Sequence, residues 1–133
     1  MKKIGCILLI LSMNINAQVS TAANIPAVDI VDDVVKCFKT ADIKELAKYF
    51  ASTVNMSLRN EEGMYSKVQT EIILREFMNR NTPKEISIVH RLDSNPNFRY
   101  VVFNMDTENS KFRVSFKLIS ENSLFKMTEL RIE

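Results

Sequence analysis

Histidine, cysteine, glycine and proline are all scarce in this chain of 133 residues, which holds 1, 2, 2 and 3 of them. So few Gly and Pro leave no low-complexity or disordered stretch of the usual composition. With one histidine, His90, and two cysteines, Cys6 and Cys37, the chain cannot supply the paired Cys or His ligands of a zinc motif or an HExxH helix. Neither a Gly-rich phosphate loop nor a GxSxG elbow occurs. An excess of one charge is lacking too, because 18 basic residues face 16 acidic ones. No apolar run reaches the roughly 20 residues needed to span a bilayer. What is present is an ordinary globular composition, 46% hydrophobic and 26% charged, of a length that suits one domain with its own core.

The opening MKKIGCILLILSMNINAQ has the outline of a secretory leader. Lys2 and Lys3 precede a short apolar run from Ile4 to Met13, and the small Ala17 marks a cleavage point. The expected organisation is a signal peptide over 1–17, a short segment over 18–24 and a single domain over 25–133, with a periplasmic or secreted location. Lys2 and Lys3 account for all of the formal +2, so a processed chain balances at 16 charges of each sign. Nothing then steers it toward nucleic acid or an anionic membrane, and no transmembrane helix is expected in the mature chain. Processing also removes Cys6, leaving Cys37 with no disulfide partner in the chain.

Two periodicities divide the remainder. Asn24-Ile25-Pro26 reads as the start of a first helix whose face carries Val28, Val31, Val34, Val35 and Phe38. After a tight turn near Thr40, Asp42 and Glu45 open a second helix, with Ile43, Leu46, Ala47 and Phe50 on its apolar face. TVNMSL, 53–58, alternates as a short strand, and Asn60-Glu61-Glu62-Gly63 reads as a turn. Ser66 and Gln69 form a capping box for a helix reaching about Arg80, with Val68, Ile72, Ile73 and Phe77 as its expected buried stripe. Asn81-Thr82-Pro83 stops it. The period then changes to two in EISIVHRLD, FRYVVFNMD, KFRVSFKLIS and SLFKMTELRIE, joined by turns short enough to require an antiparallel meander. Phe112, Val114, Phe116 and Leu118 mark the covered face; Arg113, Ser115 and Lys117 mark the wet one. In the last run Phe125 and Met127 differ in parity from Leu124 and Leu130, which a bulge, or partial cover on the outer face, would explain. The expected class is α+β, with helices on one face of a curved antiparallel sheet.

The segments EGMYSKVQTEIILREF, ISIVH, FRVSFKL and ELRIE, in this order, resemble an uncharacterised family of small exported bacterial proteins, a domain of unknown function in the nuclear-transport-factor-2-like (cystatin-like) superfamily. The resemblance spans about residues 25–133. It implies a cone-like sheet wrapped around helices, and export, but no activity and no catalytic positions. Superfamily members include isomerases, dehydratases, small-molecule binders and partner-binding domains, so fold alone does not choose.

Candidate residues follow from parity. His90 alternates with Ile86, Ile88 and Leu92, which places it on the covered side, where a half-buried imidazole is either a general base or a core residue bonded to a neighbour. Tyr100 is its expected cross-strand companion, and a His–Tyr pair serves a polar ligand group or simply satisfies two buried tips. Phe50, Phe77, His90 and Tyr100 are the expected pocket lining. Arg99, Phe103 and Arg113, with Met105 and Arg91 nearby, are the expected outward-facing partner surface; the alternative is a solvated face. Asp29, Asp32 and Asp33 read either as a cation site without its loop or as first-turn acids favourable to the helix dipole, with Asp32 and Lys36 one turn apart. Cys37 reads as a small buried hydrophobe rather than a nucleophile. No cofactor and no metal are expected, and no catalytic residue is assigned.

Three functions remain open on these grounds. The first is an exported, non-catalytic domain that binds a small apolar or amphipathic ligand or an envelope protein. The second is an isomerase- or dehydratase-type enzyme with His90 as base. The third is an interaction module, a homodimer through the outer sheet face.

Overall fold

The computed structural model describes residues 29–133; the leader, the segment over 18–24, the expected helix start at Asn24-Ile25-Pro26 and Val28 lie outside the described residues. Within them the first helix, α1 (Ile30–Thr40), starts at Ile30, with Asp29 as its cap. Asp29 is extended, and its carboxylate accepts from the Val31 amide at 3.0 Å. Val31, Val34, Val35 and Phe38 are buried as the periodicity requires, and Cys37 joins them. Ala41, left-handed at φ 54°, closes the helix, with the Ala41 and Asp42 amides donating to Phe38 and Cys37 carbonyls. Helix α2 is a single turn, Ile43–Leu46, capped by the Asp42 carboxylate on the Glu45 amide. A 3-10 turn over Ala47–Tyr49 follows, and Phe50 already belongs to β1 (Phe50–Leu58), not to the helix.

The expected turn at 60–63 is a strand. Only Arg59 and Asn60 turn the chain, with Arg59 at φ 57°, and β2 (Glu61–Ser66) pairs antiparallel with β1 from Leu58↔Glu61 to Thr53↔Ser66. Glu61, Glu62 and Gly63 are poor strand formers, but this is an edge strand, and edges favour short, charged segments. Helix α3 (Lys67–Arg80) carries the full Ser66–Gln69 capping box. Its buried stripe is Thr70, Leu74, Phe77 and Met78, with Ile73 beside it. Val68 and Ile72, expected inside, are 63% and 48% exposed. The helix has apolar residues on two faces, and Thr70 can go in because its hydroxyl donates locally to the Ser66 carbonyl at 2.9 Å.

The meander is as expected: β3 (Pro83–Leu92), β4 (Phe98–Thr107), β5 (Lys111–Glu121) and β6 (Leu124–Ile132). The complete sheet has six strands in the order β2-β1-β6-β5-β4-β3, and it is mixed, because β1 runs parallel to β6. It is curved and unclosed, with the helices on its concave face. Register shifts occur in β3 at Lys84 and Val89, in β6 at Thr128, and between β1 and β6 after Phe50. The Thr128 bulge lets Met127 on one side and Leu130 and Ile132 on the other all point into the core.

Phe38 of α1 anchors the core on the concave face. Its ring stands edge-on to Phe103 at 5.1 Å and lies over Phe116 at 6.3 Å. A second pair, Phe77 of α3 and Phe112 of β5, meets edge-on at 5.1 Å. Phe38→Ala should lower unfolding free energy by about 3–5 kcal/mol in urea titrations. A loss below about 1 kcal/mol would contradict this placement of α1.

Candidate functional site

The bulge at Val89 decides where the lone histidine goes. Before it, Ile86 and Ile88 pair with Met105 and Phe103 on the concave face. After it, His90 pairs with Val102 and Leu92 with Tyr100 on the outer face, while Arg91 turns inward opposite Val101. One inserted residue inverts every later side chain. His90 is therefore exposed and outside the concave pocket, a correction to its expected position. His90 and Tyr100 share the outer face as diagonal rather than direct neighbours.

The rest of the expected lining also disperses. Tyr100 stands with Arg113, Ser115 and Glu129 in a shallow polar depression of the outer face. Phe50 is buried in the core. Phe77 alone reaches a cleft. The expected partner surface is corrected likewise: Phe103 and Met105 are fully buried, and only Arg113 faces outward on the wet side. Arg99 pairs with Leu118 at the end of the concave face, where its guanidinium lies 4.9 Å from the Phe125 ring centroid and 3.8 Å from Asp93.

Arg91, swung inward by the bulge, organises the first-turn acids of α1. It pairs with Asp29, donates to Asp93 at 2.6 Å and lies 3.6 Å from Asp32. Asp32 thus pairs with Arg91 rather than with Lys36 among the described ion pairs. Burial pushes the Asp29 carboxyl up, but the Arg91 hydrogen bond, the Val31 amide and the charges of Arg91 and Arg99 outweigh it and hold it below its ordinary value. The cluster staples α1 to the bulged strand. No group of three or more His, Cys, Asp or Glu among the described residues is placed to hold a metal. Cys37 is buried, and burial first, then the charges of Asp42, Glu45 and Asp33, push its thiol up, away from a reactive thiolate.

A cleft of about 730 Å³ lies between α3 and the β1–β2 hairpin. That volume is typical of small-molecule sites. Met56 and Phe77 give it a buried apolar floor, flanked by Leu58, Ile73 and Tyr65, all partly buried against the core. Arg59 and Asn60 come from the hairpin turn, Glu61 from the start of β2, and Glu76, Arg80 and Asn81 from the end of α3. Asn81 caps the helix, its side-chain amide donating to the Phe77 carbonyl at 2.9 Å. Gly63 allows close approach: a Cβ there would sit 3.2 Å from the Tyr65 ring and hydroxyl, so the absent side chain lets Tyr65 lie along the strand. Sequence reading missed Arg59, Tyr65 and Arg80. The available signal was the alternation of Glu61, Gly63 and Tyr65, which a turn assignment hid.

The six-stranded curved sheet with helices on its concave side is the architecture of nuclear-transport-factor-2-like proteins. An NTF2-like protein of unknown function from Cytophaga hutchinsonii superposes with TM-score 0.56 at 9% identity, over 77% of this chain and 84% of that one. The chain belongs to the DUF4783 family, a domain of unknown function, whose family model matches residues 31–133. It is similar to a DUF4783 protein of Bacteroides uniformis (TM-score 0.75, 20% identity, 79% of this chain and 96% of that one). A Bacteroides ovatus member superposes with TM-score 0.70 at 23% identity, over 74% and 89% of the two chains. No curated protein matches the chain.

Two measurements check this geometry. Because the Asp29 value is lowered in the folded state, its contribution to stability is present above the ordinary carboxylate range and disappears as pH falls through the lowered value. Melting temperature should drop more steeply from about pH 5 to about pH 3 in the wild type than in Asp29→Asn. Parallel curves would argue against the Arg91 staple. His90→Ala, by contrast, should change unfolding free energy by no more than about 0.5 kcal/mol, as for other exposed positions.

Proposed function

We propose that this is an exported, non-catalytic binding domain that holds a small apolar or amphipathic ligand in the cleft between α3 and the β1–β2 hairpin. The observation that carries the reading is the cleft itself: about 730 Å³, with Met56 and Phe77 as buried apolar lining beside polar side chains from the hairpin and α3. Export rests on the leader-like first residues. The non-catalytic reading rests on the position of His90. An isomerase or dehydratase built on that imidazole needs it inside the pocket, and it stands on the outer face.

Native mass spectrometry of the protein purified from its own host tests the proposal. The expected result is a small additional mass on the folded protein that is lost on denaturation. Ile73→Trp, which fills the cleft from its α3 wall, should abolish that mass while His90→Ala retains it. A ligand retained equally by Ile73→Trp would place binding elsewhere. A co-purifying protein chain in place of a small mass would overturn the small-ligand reading.

A further inference from the structure

The lining of the cleft carries hydrogen-bond donors that have no acceptor among the described residues. Among the described residues, neither Arg59 nor Arg80 has a carboxylate within 4.0 Å, although nine ion pairs form elsewhere. The side chains of Arg59, Arg80 and Tyr65 make no hydrogen bond within the described chain, and all three line the cleft. An exposed arginine without a partner is ordinary by itself. Two on one rim, with a tyrosine hydroxyl beside them and an apolar floor beneath, form an arrangement suited to an anionic head group with an apolar body.

Arg59 adds a second and independent observation. It sits at φ 57°, a left-handed turn position that suits Gly, Asn or Asp and strains any long side chain. Its amide donates to the Ile132 carbonyl at 2.7 Å, so the turn is tied to β6. Its guanidinium lies 5.8 Å from the Phe112 ring centroid, and Phe112 packs on Phe77, which is part of the cleft floor. The hairpin turn therefore carries a cation held over the Phe112 ring beside the cleft. The two-residue turn between Leu58 and Glu61 requires a positive φ, so the turn fixes where the Arg59 side chain stands.

Resting on the ligand-binding reading above, we propose that the ligand is an amphipathic carboxylate whose acid group is bound by Arg59 and Arg80, with its chain lying over Met56, Ile73 and Phe77. Planar guanidinium groups match a carboxylate in two-pronged geometry, which an ammonium does not. The rim carboxylates Glu61 and Glu76 present the competing chemistry, an amine head group, and the test must separate the two.

Isothermal titration of the full-length protein with dodecanoate, dodecan-1-ol and dodecylammonium, below their aggregation concentrations, makes that separation. Dodecanoate should bind best. Arg59→Gly and Arg80→Gln should each weaken it at least roughly tenfold, the usual consequence of removing a charge-assisted hydrogen bond. Dodecan-1-ol should be insensitive to both. Arg59→Gly relieves the turn, so it should be as stable as the wild type or more so, and its loss of binding cannot be ascribed to misfolding. Equal binding of acid and alcohol, unchanged by either substitution, would leave an apolar cleft standing and overturn the carboxylate assignment. A preference for dodecylammonium, weakened by Glu61→Gln or Glu76→Gln, would also overturn it. Binding of none of the three to a folded protein would count against both this inference and the ligand-binding reading beneath it.

Discussion

Phe38 wedged against Phe103 and Phe116 fixes where α1 can lie, and the rest of the concave face is organised around that contact. The three rings come from one helix and two central strands, so helix and sheet cannot shift independently. Val31, Val34 and Val35 extend the contact along α1, and the Arg91 cluster pins its first turn to β3. On the other side of the sheet's curve the covering is thinner. Helix α3 rests on the sheet through Leu74, Phe77 and Met78 and leaves its Ile73 flank against open space. Two helices of 11 and 14 residues cover the curved six-stranded sheet, and the cleft lies where α3 meets the β1–β2 edge.

Bulges set both the curvature and the identity of the residues that face inward. Val89 exchanges His90 for Arg91 on the concave side, converting a would-be pocket histidine into a surface residue and recruiting a cation for the α1 acids. Thr128 does the converse in β6, keeping Met127, Leu130 and Ile132 all buried although their spacing is not uniform. Each costs one unpaired residue in the ladder and bends the strand.

Much of the fold was legible in the sequence, and little of the site was. The Ser66–Gln69 capping box, the Asp42 cap, the four meander strands and the inward row Phe112, Val114, Phe116 and Leu118 all rest on local chemistry or on period, and all are present. In the last strand apolar residues at both parities left a bulge or cover of the outer face open, and the structure has the bulge. At Val89 the adjacent apolar pair Ile88 and Val89 carries the same mark, but Ile86, Ile88, His90 and Leu92 also read as one unbroken alternation, which hides the bulge. The parity of β4 was then misassigned along with it, exchanging Phe103 for Tyr100. Strand β2 was hidden by its Glu-Glu-Gly composition, and with it the wall that carries Tyr65 and ends at Arg59. The parallel pairing of β1 with β6 links residues far apart in the chain and leaves no local trace.

The cleft between α3 and the β1–β2 hairpin is the proposed ligand site. The most direct measurement is an amide-resolved NMR titration with dodecanoate. Shifts concentrated over Leu58–Tyr65 and Ile73–Asn81, with β3 and the outer face around Tyr100 and Arg113 unmoved, are the expected result. Shifts centred on His90, Tyr100 and Arg113 would move the site to the outer face and contradict the account.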